Sequence, residues 1–144
     1  VSDESGEEEV WVYDVATAAR RKLTTHESVK SDLTWAPDGR KLAFVAANRL
    51  FEVDAAGGAA RELAHNPAGG YALSEYSRDG SWIVYTRRDD DQNADVYLFD
   101  VRARREHNVT RNPFQDASGR LTPDGRSLVF TSTRDGGVPQ LFVV

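Results

Sequence analysis

The sequence predicts an all-β chain in which one four-stranded antiparallel unit recurs about three times, and three periodic features carry that reading. First, Pro37-Asp38-Gly39-Arg40, Arg78-Asp79-Gly80-Ser81 and Pro123-Asp124-Gly125-Arg126 set Asp-Gly turns 41 and 45 residues apart. Second, each turn is followed by an alternating apolar segment: Leu42-Ala43-Phe44-Val45, Ile83-Val84-Tyr85-Thr86 and Leu128-Val129-Phe130-Thr131. Third, β-branched and aromatic runs that end in aspartate, Val10 to Asp14, Leu50 to Asp54 and Val96 to Asp100, return in the same phase, and Leu141 to Val144 begins a fourth copy. A repeat of roughly 40–50 residues made of short strands is the period of a propeller blade. The expected fold is therefore a β-propeller segment of about three blades, part of a ring of six or seven, in one domain spanning 1–144. Its repeats divide at about 1–24 (partial), 25–64, 65–110 and 111–144 (partial).

Each strand follows from local chemistry. Strand a ends in an apolar or aromatic residue three positions before the turn aspartate (Trp35, Tyr76, Leu121). Asp-Gly between two β-rich runs is a hairpin signal, because tight turns need residues that tolerate positive φ. Strand b is the alternating segment after the turn. Strand c is the run closed by an aspartate suited to open the next turn. Ten residues beyond those aspartates lie Thr24, Ala64 and Thr110, which close the polar runs of strand d. The b–c gap varies, and the extra residues fall in the loop Arg88 to Ala94, whose counterpart is Arg134 to Pro139. Val1 to Gly6 matches the end of a strand b, so the phase predicts strands c and d, two full sets of four, and then a, b and c. Sheet edges left unpaired recruit other chains, which gives self-association through open blade edges as an expectation.

Composition narrows the function. With a formal net charge of -5 the chain lacks the clustered basic surface that nucleic-acid binding requires. It has no cysteine, so disulfides and thiolate metal sites are excluded. No apolar run approaches the roughly 20 residues of a membrane span, and the acidic stretch before Val10 is unlike a signal peptide. The expectation is a soluble chain, in the cytoplasm or the periplasm, without membrane insertion and without nucleic acid.

Trp35-Ala36-Pro37-Asp38-Gly39-Arg40-Lys41-Leu42-Ala43-Phe44 resembles the Trp-Ser-Pro-Asp-Gly repeat of TolB-type propellers, found also in tricorn proteases and in the propellers of prolyl-oligopeptidase relatives. Asn93 to Asp100, continuing through Asn108 to Pro113, and Phe130 to Gly137 are similar above all to bacterial tricorn-like serine proteases. The middle repeat departs from the pattern with Tyr76-Ser77-Arg78 and the last with Leu121-Thr122-Pro123, where weaker packing between blades is expected. The resemblance implies a non-catalytic propeller that gates or guides peptides toward a peptidase domain elsewhere in a longer chain. TolB-like binding of a protein partner and the propeller of a prolyl-oligopeptidase-type peptidase are the alternatives.

The residues themselves offer no catalytic set. There is no G-x-S-x-G elbow, no H-E-x-x-H, no P-loop and no dinucleotide glycine pattern, so no catalytic, cofactor-binding or metal residue is assigned and no cofactor is expected. His26, His65 and His107 recur in or just after strand d, and equivalent positions in successive blades fan apart, so they are read as surface residues. Asp89, Asp91, Asn93, Asp95 and Asp100 fall at relative positions 1, 3, 5, 7 and 12, the ligand spacing of a calcium loop. The sixth position is Ala94 instead of glycine, and a solvated b–c loop is the better reading. The sequon Asn108-Val109-Thr110 is read as part of strand d. Trp11, Trp35 and Trp82 are expected to fill the space between blades, with Trp35→Ala costing about 3–5 kcal/mol if the ring is buried.

Overall fold

The computed structural model describes residues 8–25 and 28–144. These form thirteen strands and no helix. Blade 1 contributes β1 (Trp11–Tyr13) and β2 (Arg20–Lys22). Blade 2 is β3 (Lys30–Trp35), β4 (Lys41–Ala46), β5 (Arg49–Asp54) and β6 (Arg61–His65). Blade 3 is β7 (Tyr71–Tyr76), β8 (Trp82–Arg88), β9 (Ala94–Asp100) and β10 (Arg105–Asn108). Blade 4 contributes β11 (Asp116–Leu121), β12 (Leu128–Ser132) and β13 (Gln140–Val143). Every pairing is antiparallel between chain neighbours, so each blade is a meander.

The Asp-Gly turns are built alike. Gly39, Gly80 and Gly125 donate their N–H to Ala36, Ser77 and Thr122, at 2.9, 2.9 and 2.8 Å, with φ of 68°, 74° and 69°. Only the glycine takes the left-handed conformation. The aspartate before it braces the turn through its side chain, since Asp38, Asp79 and Asp124 each accept the N–H two residues on, from Arg40, Ser81 and Arg126. The aspartates that end strand c act similarly, Asp14 accepting from Ala16 and Thr17, Asp54 from Ala56, and Asp100 from Arg102 and Ala103. At the other rim the b–c connection is Ala47-Asn48 in blade 2, both at positive φ, Asp89–Asn93 in blade 3, and the longer 133–139 in blade 4.

In blades 2 and 3, strands b and c are buried on both faces, since successive side chains point to opposite sides of a strand. Leu42, Phe44, Phe51 and Val53 look back toward Val10 and Leu23 of blade 1. Ala43, Val45 and Leu50 look forward onto Tyr71, Tyr76, Ile83, Tyr85, Tyr97 and Phe99 of blade 3. Val84 and Val96 face Leu128 and Phe130 of blade 4. No single sheet could bury both of its faces alone; stacking supplies the core.

Two expectations need correction. Trp35 is 48% exposed. It stands opposite Leu42 and so faces blade 1, whose described residues supply only a c–d pair, and no strand a or b lies over the ring. Nor is the middle repeat poorly packed: Tyr76, the counterpart of Trp35, is buried at the blade 2–blade 3 seam and donates to Glu52 Oε1 at 3.0 Å. Trp11 and Trp82 are half-buried rather than enclosed.

Candidate binding surface

Inserts and polar side chains gather on two rims. The first joins the b–c loops to the d–a connections. Asp89–Asn93 and Asn66 to Ala68 there flank an open hollow of about 450 Å³. Asn66 Nδ2 donates to Arg88 O at 2.7 Å, and Arg88 N to Gly70 O at 3.0 Å, which ties the d–a connection to the root of the loop. Gly69 is required there, because a Cβ would stand 2.0 Å from Arg88 O. An arginine pins each longer loop over the same aromatic position of strand c. Arg87 lies 4.7 Å from the Tyr97 ring centre and donates to Asp89 at 3.0 Å; Arg134 lies 4.7 Å from the Phe142 ring and reaches buried Asp116 at 3.1 Å.

The acidic spacing does not converge on one point. Asp89 pairs with Arg87, Asp91 accepts the N–H of Asn93, and Asn93 Nδ2 donates to Asn112 O. Asp95 is buried and accepts from Asn108 and Thr110, while Asp100 caps a turn on the opposite rim. Among the described residues no group of three or more His, Cys, Asp or Glu could hold a metal ion. His65 and His107 are exposed on separate blades, His107 edge-on to Trp82 at 5.6 Å; His26 lies outside the described residues. Asn108 of the sequon is engaged by Asp95 and Tyr97.

One recurring polar device escaped the sequence reading. The Thr24 and Thr110 hydroxyls accept the N–H of Val10 and Val96, both at 3.0 Å, and each donates to the acid just before that valine, Glu9 or Asp95. Lys30 pairs with buried Glu9 at 2.9 Å and Lys22 at 3.4 Å. Burial pushes the Glu9 carboxyl up, but Thr24, Lys30 and Lys22 outweigh it and hold the group below its usual value. The middle copy replaces this clasp by an Arg49–Glu62 ion pair at 2.7 Å. The acid ahead of strand c and the threonine after strand d were visible in two copies of the sequence, and their equal phase was the signal.

The second rim carries the Asp-Gly turns. Between those of blades 3 and 4 lies a cavity of about 260 Å³ walled by Arg78, Asp79, Trp82, Pro123 and Gly125. On the far side of Trp82 a second hollow of about 380 Å³ is bordered by Asp100 and Arg102. Both hollows are lined largely by polar and charged side chains, with Trp82 the aromatic wall they share. Among the described residues no helix is long and apolar enough to cross a membrane.

Repeated Asp-Gly hairpins stacked as four-stranded sheets define an all-β propeller segment, similar in fold to the propellers of TolB and of the tricorn protease. Residues 3–75 match the family described as the dipeptidyl peptidase IV (DPP IV) N-terminal region, and the chain belongs to that family. It is 34% identical over 84 residues to the uncharacterized peptidase YuxL of Bacillus subtilis (strain 168), which covers 54% of this chain and 12% of that protein. It is 39% identical over 64 residues to the Tol-Pal system protein TolB of Helicobacter pylori (strain ATCC 700392 / 26695), covering 44% of this chain and 15% of TolB. The crystal structure of the tricorn protease superposes with a TM-score of 0.73 at 15% identity, over 90% of this chain and 14% of that one, a likeness of fold. The chain thus spans less than a sixth of the length of the two curated relatives.

Proposed function

We propose that the chain is the non-catalytic propeller portion of a tricorn-like peptidase, where it gates or guides peptide substrate and scaffolds assembly. The match of residues 3–75 to the N-terminal region of dipeptidyl peptidase IV carries the peptidase reading, supported by the peptidase relative, and the resemblance of Asn93 to Pro113 favours its tricorn-like form. In such a protein the propeller selects what reaches a reaction centre held by other residues. The test uses the full-length parent with blade 3, residues 71–110, deleted. Hydrolysis of a short chromogenic peptide should persist while discrimination against long or folded substrates is lost. Unchanged discrimination would refute gating.

The 39% identity with TolB over 64 residues favours a second reading, a propeller whose rim loops hold a protein partner. Capture of a partner by the parent that fails when 89–93 is shortened to Asn-Gly, with no peptidase activity in the parent, would decide for it. For the 144-residue chain taken by itself, self-association through β13, beside which Leu141 and Val143 are exposed, is the companion proposal.

A further inference from the structure

The two fully described seams between blades differ at the Asp-Gly rim, and the difference has a defined shape. At the blade 2–blade 3 seam the Pro37 ring lies against Gly80, its Cγ 3.4 Å and its Cδ 3.6 Å from where a Cβ on that glycine would stand. At the next seam the residue in the place of Pro37 is Arg78, and nothing lies within 4 Å of the same point on Gly125. Arginine is long and exposed here and cannot sit where a compact ring sits, so the seat opens into the cavity of about 260 Å³. A second exchange furnishes its wall. Strand b of blade 2 opens with Lys41, whose ammonium is held by Glu52 at 2.8 Å, whereas strand b of blade 3 opens with Trp82. The indole is half-buried and braced edge-on by His107.

We infer that this seam is a binding site for the proline ring of an extended peptide, seated against Gly125 and the Trp82 indole as Pro37 is seated against Gly80. Proline fits such a seat at low entropic cost, since its ring has almost no rotamer freedom to lose and prolyl segments are already extended. An indole face against a pyrrolidine ring buries apolar area without leaving a polar atom unpaired. Polar contact comes from Arg78, whose guanidinium makes no hydrogen bond or ion pair among the described residues and can donate to the carbonyl oxygens beside the ring. The Asp79 carboxylate does not compete for it, being occupied by Ser77 and Ser81. The inference rests on the reading that the chain meets peptide and names the residue and the seam that would do so.

The test is a titration of the ¹⁵N-labelled full chain with blocked peptides acetyl-Gly-Gly-Pro-Gly-Gly-amide and acetyl-Gly-Gly-Ala-Gly-Gly-amide, following the indole N–H signals; Trp82→Phe assigns the relevant one. The proline peptide should shift the Trp82 signal saturably, with affinity at least tenfold above that of the alanine peptide. Arg78→Pro, which installs the residue the flanking repeats carry, should fill the seat and weaken binding at least tenfold with the near-ultraviolet spectrum retained. Should that variant fold poorly, Trp82→Lys, the blade 2 residue, is followed through the backbone amide signal of Gly125 in place of the lost indole and should weaken binding by the same factor. Equal shifts from the two peptides, or undiminished binding in the folded variant, overturn the inference. Peptide-dependent shifts that leave Trp82 untouched overturn the seam as the site while leaving the peptide-meeting reading standing.

Discussion

Trp35 and Tyr76 occupy the same place in successive repeats and meet opposite fates, which shows that a residue's worth here is set by the blade beside it. Trp35→Ala should cost less than about 1 kcal/mol, as substitutions at exposed sites usually do, whereas Tyr76→Ala should cost about 3–5 kcal/mol. Urea midpoints of the two variants check this, and an equal loss would contradict the assignment of faces. Burial, with nearby carboxylates adding to it, pushes the hydroxyls of Tyr71, Tyr76 and Tyr85 above the ordinary tyrosine value. These groups stay protonated in the fold, so their contribution is complete below an unfolded value of about 10 and is lost as pH rises beyond it. Phenolate absorbance from them should therefore appear together with loss of circular dichroism rather than before it. Asp79 has the opposite sign. Ser77 and Ser81 hold its carboxyl down to about 2, so its contribution is present above an unfolded value of about 4 and fades as pH falls toward 2. Asp79→Asn should flatten that part of the acid limb, and an unchanged acid limb would speak against the turn geometry.

Among elements, the clasp between strands c and d and the seam beneath it offer sharper tests. Thr110→Val removes the acceptor of the Val96 N–H and should cost about 1–2 kcal/mol, measured by thermal unfolding against Thr110→Ser, which keeps the hydroxyl. Gly119 lies where blade 4 crosses blade 3: a Cβ would stand 2.5 Å from Val96 Cγ1 and 3.1 Å from Val84 Cγ1. Gly119→Ala should cost about 1–3 kcal/mol through overpacking, and Val96→Ala on the same chain should recover part of it. What was legible in the sequence was local. The Asp-Gly turns, the aspartates that cap strand c, and the strand order all follow from residues within ten positions of each other. The faces were not legible. Whether Tyr76 is covered, and whether Arg78 leaves a cavity, depends on side chains in an adjoining blade, Glu52 24 positions before the one and Gly125 47 positions after the other. The acid–threonine clasp lay between these cases. Glu9 with Thr24 and Asp95 with Thr110 share one phase, but Arg49 with Glu62 in the middle copy inverts the charge and hides the pattern.

Across the whole molecule the described blades stack in a row, each packing a face against the next. In blade 4, Leu141 and Val143 are 74% and 68% exposed, on the face whose counterparts Leu50 and Val96 are fully buried. Leu141→Lys with Val143→Lys should lower the sedimentation-average mass of a concentrated sample toward that of the single chain; an equal mass for both proteins would assign any association to another surface. The seams also differ from each other in chemistry. Glu52 in blade 2 meets the hydroxyl of Tyr76, while their counterparts at the next seam, Leu98 and Leu121, both pack against the apolar cluster of Val84, Val96, Leu128 and Phe130. Copying one repeat over its neighbour, the ordinary accident of tandem genes, would set a carboxylate against leucine or strand a phenol among hydrocarbon. Such a recombinant would carry its own penalty, and the order of the blades is in that sense written into their flanks.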